Sequence, residues 1–247
     1  MAAPRYDGVM KRKSPRRLPG RREDGAATKL QILEAAGEVF AEKGFDRATG
    51  KEIAERAKSN SAAVNYYYGG IEGLYAEVLV EAHRRMVTYD KLLALAEAPG
   101  NASDKLRAFI GLIVRTIVGP ASSTWALRVL SREILSPSSV FPILLEREIL
   151  PKKRIVSGLV GEILGLPDDH PAVARCLLNI MAPFALLLVG NRQILAQFLP
   201  GLGAGTETPD AVIEHFQRFA FGGLSAVAAE LEADRRSTRP GRGERRD

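Results

Sequence analysis

Along this chain of 247 residues the apolar side chains recur at intervals of three and four, and nowhere do they alternate over a useful length. That periodicity confines the fold to helices. In "TKLQILEAAGEVFAEKG" the repeat is Ile32, Leu33, Ala36, Val39 and Phe40, and Gly44 stops it. The next unit, "TGKEIAERA", is short; Thr49 and Glu52 have the spacing of a capping box, and Ile53, Ala54 and Ala57 form the inward face. A third helix starts at Asn60, a good N-cap, and ends at Gly69-Gly70. The fourth begins near Ile71, repeats Leu74, Val78, Ala82 and Met86, and is predicted to reach about Leu95.

Helical patterns continue after Pro99-Gly100. One follows Ser103 as a candidate cap, and one follows Ser123. A long one from Val140 to Leu164 is expected to bend or break at Pro151, which lacks the helical N–H. Another begins at Pro171, and the last starts at Thr208-Pro209 and is expected to end near Leu231. The predicted organisation is a disordered basic arm over 1–25, a compact helical unit over 26–75, a larger helical domain over 76–231 and a disordered tail over 232–247.

Charge is unevenly placed. Residues 1–60 hold 14 Lys/Arg against 9 Asp/Glu and residues 232–247 hold 6 against 4, so 61–231 is close to neutral. The basic arm is either a solvated tail or a source of non-specific attraction to phosphates. Cys176 is the sole cysteine, which rules out an intramolecular disulfide; in its apolar run it reads as an inert core thiol. No apolar segment follows the basic N-terminus as in a secretory signal, and the most apolar run, Cys176 to Gly190, contains Asn179 and Pro183. A cytoplasmic protein without a membrane partner is expected.

Two short helices joined by a tight turn and held by a third make a helix-turn-helix. In that unit the second short helix enters the major groove of DNA. Here it is "SAAVNYYY". Consecutive helical residues point about 100° apart, so Tyr66, Tyr67 and Tyr68 cannot all face inward. With Val64 and Tyr68 placed inward, the opposite side shows Ser61, Ala62, Asn65 and Tyr66, with Tyr67 at the flank. Asn pairs bidentately with adenine, Ala touches a thymine methyl, and a phenol suits a phosphate or a base edge. The competing reading is an aromatic cluster packed wholly into the core. The candidate DNA-contacting set is Thr49, Lys51, Lys58, Asn60, Ser61, Ala62, Asn65, Tyr66 and Tyr67.

From about Thr28 to Leu79 the chain resembles the N-terminal domain of TetR-type transcriptional regulators, through the helix ending at Phe40, the Gly44-Phe45 turn, "EIAERA", Tyr67-Tyr68, Glu72 and Leu74. It departs from that pattern at three places. The turn usually reads Gly-Val-Ser and is Lys58-Ser59-Asn60 here; a Lys common at the start of the fourth helix is Ile71; and Gly50 stands where a branched apolar residue is usual. The stretches "ALRVLSREILSPSSVFPILLEREILPKK" and "DDHPAVARCLLNIMAPFALLL" resemble the C-terminal domain of the CecR (or YbiH) group.

The resemblance implies an all-α protein whose helix-turn-helix precedes a ligand-binding and dimerisation domain. It implies a homodimeric repressor on a palindromic DNA operator, released by an unidentified small-molecule effector. The last two long helices would dimerise, with Leu177, Ile180, Leu188, Ile213, Phe216, Phe219 and Gly223 as candidates. Candidate effector contacts are Phe109, Ile113, Trp125, Arg128, Arg132, Phe141, Phe184 and Asn191, each apolar one equally open to a core role. Arg128 and Arg132, one turn apart, either pair with Glu133 or Glu148 or bind an anionic effector. No metal-ligand spacing, phosphate-binding glycine loop or nucleophile–base set is present in the sequence, so neither a cofactor nor an enzymatic reaction is expected. His83, His170 and His215 lie far apart. An adaptor or membrane-surface module driven by the basic ends is the remaining alternative.

Overall fold

The computed structural model describes residues 20–119, 124–190, 197 and 208–237. Among them the regular elements are helices: α1 Gly20–Lys43, α2 Gly50–Arg56, α3 Ser61–Tyr68, α4 Ile71–Met86, α5 Tyr89–Glu97, α6 Ala102–Val118, α7 Trp125–Leu135, α8 Phe141–Leu144, α9 Leu150–Leu164, α10 Pro171–Val189 and α11 Pro209–Ser237. A π-helical turn, Leu145–Ile149, joins α8 to α9.

Several boundaries differ from the sequence-based expectation, each for a local reason. α1 begins at Gly20, so residues 20–25 belong to a helix rather than to the basic arm. The fourth helix stops at Met86: Val87 is extended, and Thr88 caps a separate α5 by accepting from the Lys91 N–H at 3.2 Å. α6 is capped by Asn101, whose side chain accepts from Asp104 N–H at 2.8 Å, and not by Ser103. The irregularity near Pro151 lies before it. Proline clashes with the carbonyl four residues back, and the widened π turn through Arg147 accommodates that. α11 runs past Leu231 to Ser237; Arg235 donates to the Gly165 carbonyl at 3.0 Å and ties the last turns to the end of α9. The rest of the expected arm and tail lies outside the described residues.

Two apolar clusters organise these helices. The first joins α1, α2, α3 and α4 to α7 and α8, around Phe40, Ile53, Val64, Leu74, Val129 and Leu144. The second joins α5, α6, α9, α10 and α11, around Leu92, Leu106, Ile110, Val160 and Val173. The helix-turn-helix therefore shares its core with α7 and α8, and no core boundary falls at residue 75. α10 is long and apolar enough to cross a membrane by length and composition. Here it packs on α6, α7, α9 and α11, with one face left open.

Candidate nucleic-acid interface

The helix-turn-helix is built from local capping. Thr49 Oγ1 accepts the Glu52 N–H at 3.2 Å to start α2, and Asn60 Oδ1 accepts the Ala62 N–H at 2.9 Å to start α3. Arg56 grips Glu42 with two bonds of 2.7 and 2.9 Å, and Lys43 meets Glu52 at 2.7 Å, so α2 is held on the end of α1. Between the helices Lys58 takes a φ of +50°, and the Ser59 hydroxyl is buried without a partner. Both costs fall where the chain departs from the Gly-Val-Ser pattern: glycine adopts positive φ without strain, and valine has no hydroxyl to satisfy.

α3 is anchored from one side. Val64 is buried against the first cluster. The Tyr68 hydroxyl donates to the Lys29 carbonyl at 2.6 Å, and burial, with Glu77 nearby, pushes its phenol up to about 12. Gly69 and Gly70, at φ +73° and +122°, reverse the chain, and α4 then starts against α3. A Cβ at Gly73 would sit 2.0 Å from the Tyr68 carbonyl oxygen, so only glycine allows that approach.

The opposite side is open. Ser61, Ala62 and Asn65 are exposed, and Tyr66 is 81% exposed. The Tyr67 ring is half-buried, edge-on to Tyr66 at 4.9 Å, and its hydroxyl lies 3.4 Å from where a Cβ on Gly25 would be. Tyr67 thus leans on α1 at the flank of α3, and a side chain at Gly25 would crowd it. Lys51 and Lys58 are exposed on the same unit, while Thr49 and Asn60 already use their side chains as caps.

Behind this unit, α7 supports α1. The Trp125 indole lies flat over Gly37, its N–H donates to Glu34 at 2.9 Å, and the Arg85 guanidinium sits 4.5 Å from the ring while pairing with Glu34. Trp125 therefore locks α1 to α7, and it is not among the described residues that line the neighbouring cavity. Arg132 donates to the Ala41 and Glu42 carbonyls at 3.1 and 3.2 Å, capping α1. Neither expected arginine–glutamate pair forms. Buried Glu133 accepts from the Tyr75 hydroxyl at 2.8 Å and from Ser138 at 2.9 Å. Buried Glu148, in the π turn, meets Arg84 at 2.7 Å and Lys152 at 2.6 Å, and Lys152 also lies 2.9 Å from His83. Burial disfavours the Glu148 charge, but Lys152 and Arg84 outweigh it and hold the carboxyl below its usual range. Burial, helped by the Lys152 charge, pushes His83 down to about 4. Tyr75, with Phe40 and Phe45 at 4.6 and 4.7 Å, and the Glu148 cluster are structural residues that the sequence patterns did not single out.

Of the other expected effector contacts, Phe109 and Ile113 are packed within the second cluster, and Phe141 packs on the first. None of the three is among the described residues that line the cavities on these helices. Arg128 does line a cavity of about 270 Å³ between α1, α6, α7 and α10, together with Arg132. Asn191 lies outside the described residues. A larger, mostly apolar groove of about 910 Å³ runs between α10 and α11, with Phe184 on its floor 5.9 Å from Phe216. Of the residues expected to dimerise, Phe216, Phe219 and Gly223 line this groove, and Phe219 is 74% exposed. Leu177 and Ile213 are instead buried in the subunit's own core, Ile180 is buried where the core meets the groove, and Leu188 belongs to the smaller cavity. Leu178 and Leu186, which are strongly exposed on α10, were not singled out by the sequence.

Comparison with known proteins agrees with this geometry. Residues 32–78 match the sequence profile of bacterial regulatory proteins of the tetR family, and residues 102–224 match that of the C-terminal domain of the HTH-type transcriptional dual regulator CecR. The HTH-type transcriptional dual regulator CecR of Shigella flexneri is 29% identical over 151 residues, 57% of this chain and 66% of that protein. The probable HTH-type transcriptional regulator YttP of Bacillus subtilis is 25% identical over 150 residues, 58% of this chain and 71% of that one. This chain thus spans about two thirds of each of these relatives. A putative transcriptional regulator from Pseudomonas aeruginosa shares the fold, with a TM-score of 0.62 at 18% identity, covering 87% of this chain and 96% of that structure. With a capped helix-turn-helix, an exposed second helix and both profiles matched in order, the chain belongs to the TetR family of bacterial regulatory proteins, with a C-terminal domain of the CecR type.

Proposed function

We propose that this regulator is a homodimeric repressor that binds a palindromic operator through α3 of each subunit and is released by a small-molecule effector. It acts where the DNA is, in the cytoplasm. The observation that carries the reading is the face of α3: Ser61 and Ala62 are small enough to let the backbone approach a groove, Asn65 stands ready for a base edge, and Tyr66 projects beside it. Val64 and Tyr68 hold that helix from behind, so its outward side chains need little ordering on binding.

Dimerisation follows from the open face of α10 and α11. Leu178, Leu186 and Phe219 are large, exposed and apolar on two neighbouring helices, as at an association surface. A two-fold pairing there would join two recognition helices for half-sites about one DNA turn apart, ~34–36 Å.

The test is selection of duplexes from a random pool, followed by fluorescence anisotropy with the selected operator. Affinity should fall steeply with salt, as counterions are released. Asn65→Ala should lower discrimination between the operator and a single-base variant by about 1–3 kcal/mol, while non-specific binding persists. Unaltered discrimination rejects the role of Asn65, and a pool that yields no enriched sequence rejects the reading as a whole.

A further inference from the structure

The cavity between α1, α6, α7 and α10 differs in character from the apolar groove on α10 and α11. Two arginines line it, Arg128 and Arg132, with the Ser131 hydroxyl on the same wall, and no carboxylate lines it among the described residues. Ile117, Leu187 and Leu188 supply its apolar side. Arg128 is exposed and makes no hydrogen bond or ion pair among the described residues. Glu42, which feels the Arg128 charge, is already engaged: Arg56 holds its carboxyl below the usual range. Arg132 uses Nε and Nη2 on the Ala41 and Glu42 carbonyls, two of the five N–H donors a guanidinium carries. Among the described residues the hollow is thus positive, half apolar and without an anion of its own.

We propose that this cavity binds a small organic carboxylate, its charge on Arg128 and Arg132 and its body against Ile117, Leu187 and Leu188. The inference rests on the regulator reading and names the effector class for it. The volume equals about nine waters at ~30 Å³ each, which sets the ligand at roughly ten non-hydrogen atoms. A carboxylate is a stronger acceptor for a guanidinium than a peptide carbonyl is. The ligand therefore competes with Ala41 and Glu42 for Arg132 and uncaps the end of α1. That end leads through Gly44-Phe45 into α2. Occupancy of the cavity and the placement of the helix-turn-helix are coupled through one side chain, and the ligand favours the uncapped form by its differential affinity.

The experiment uses the full chain with three probes: benzoate, its neutral isostere benzamide, and inorganic phosphate, which carries charge without a body. Binding is followed by calorimetry and by the fluorescence of Trp125, the single tryptophan, which packs on α1 one turn before Arg128. Benzoate should bind at least tenfold more tightly than either control, Arg128→Gln should weaken it at least tenfold, and Arg128→Lys should restore part of the loss. Saturating benzoate should weaken binding to the selected operator about tenfold, and the Arg128→Gln protein should not respond. The proposal is overturned if benzoate fails to bind up to about 10 mM, binds no better than benzamide or phosphate, or binds the Arg128→Gln variant equally. A protein that selects an operator yet fails these tests loses the ligand class and keeps the regulator reading. One that binds benzoate through Arg128 yet selects no DNA keeps the site and loses that reading.

Discussion

Replacing Gly37 by alanine pits two opposing effects against each other. Alanine in a helix interior is favoured over glycine by about 1 kcal/mol. Yet a Cβ at Gly37 would lie 2.4 Å from Trp125 Cδ2 and 2.6 Å from Cε2 and Cε3, where carbon atoms prefer about 3.5–4.0 Å. The ring cannot simply swing away, because its N–H is bonded to Glu34 and the Arg85 guanidinium lies over it. Overpacking of this kind costs about 1–3 kcal/mol, and loosening the indole hydrogen bond adds about 1 kcal/mol more at this half-exposed carboxylate. The clash outweighs the propensity, and Gly37→Ala should destabilise the protein by about 1–3 kcal/mol. With Trp125 replaced by leucine the clash disappears, and the same change should stabilise by up to about 1 kcal/mol. The assay is urea unfolding followed by far-ultraviolet circular dichroism, all four proteins at one concentration because association shifts the midpoint. Equal effects in the two backgrounds, or a Gly37→Ala protein as stable as the parent, would refute the α1–α7 lock.

The turn, the buried charges and the tyrosines carry the remaining expectations. Ser59→Ala removes an orphaned buried hydroxyl and should raise stability by about 1 kcal/mol, and Lys58→Gly should add up to about 1 kcal/mol by relieving its positive φ; loss of stability on either change contradicts the assignment. His83 stays neutral in the fold to about pH 4, whereas the unfolded chain takes up its proton near 6.5. Its contribution is therefore complete above pH 6.5 and declines by about 3 kcal/mol as the pH falls to 4; equilibrium unfolding across that range should show a shallower slope for His83→Gln, and an unchanged slope would be a contrary result. Tyr66→Ala should weaken operator binding with little effect on the unfolding midpoint, whereas Tyr68→Phe should lower the unfolding free energy by about 1 kcal/mol through its lost bond to Lys29.

Local signals made much of the DNA-contacting unit legible. Thr49, Glu52 and Asn60 announce helix starts because a cap acts within three residues, and Gly69-Gly70 announces the stop because positive φ belongs to glycine. Val64, four residues before Tyr68, fixes which side of α3 faces in, and Asn65 and Tyr66 follow as the outward pair. Thr88 is a cap of the same kind that periodicity alone misses, since the apolar repeat runs on through it, and Asn101 caps α6 two residues ahead of the equally plausible Ser103. Tyr67 shows where pattern reasoning stops: its partner, Gly25, lies 42 residues away on α1.

From the sequence alone come the all-helical fold, the order of the elements and the outward face of α3, because each depends on neighbours within one or two turns. Only the tertiary structure decided what Trp125, Arg132, Glu133 and Glu148 do, since their partners Gly37, Ala41, Tyr75 and Arg84 stand between 58 and 91 residues away or across a helix interface. An apolar or charged residue on a helix reveals by its spacing which face it occupies. Which other helix meets that face is set by how all the faces pack at once, and that information resides in no single segment.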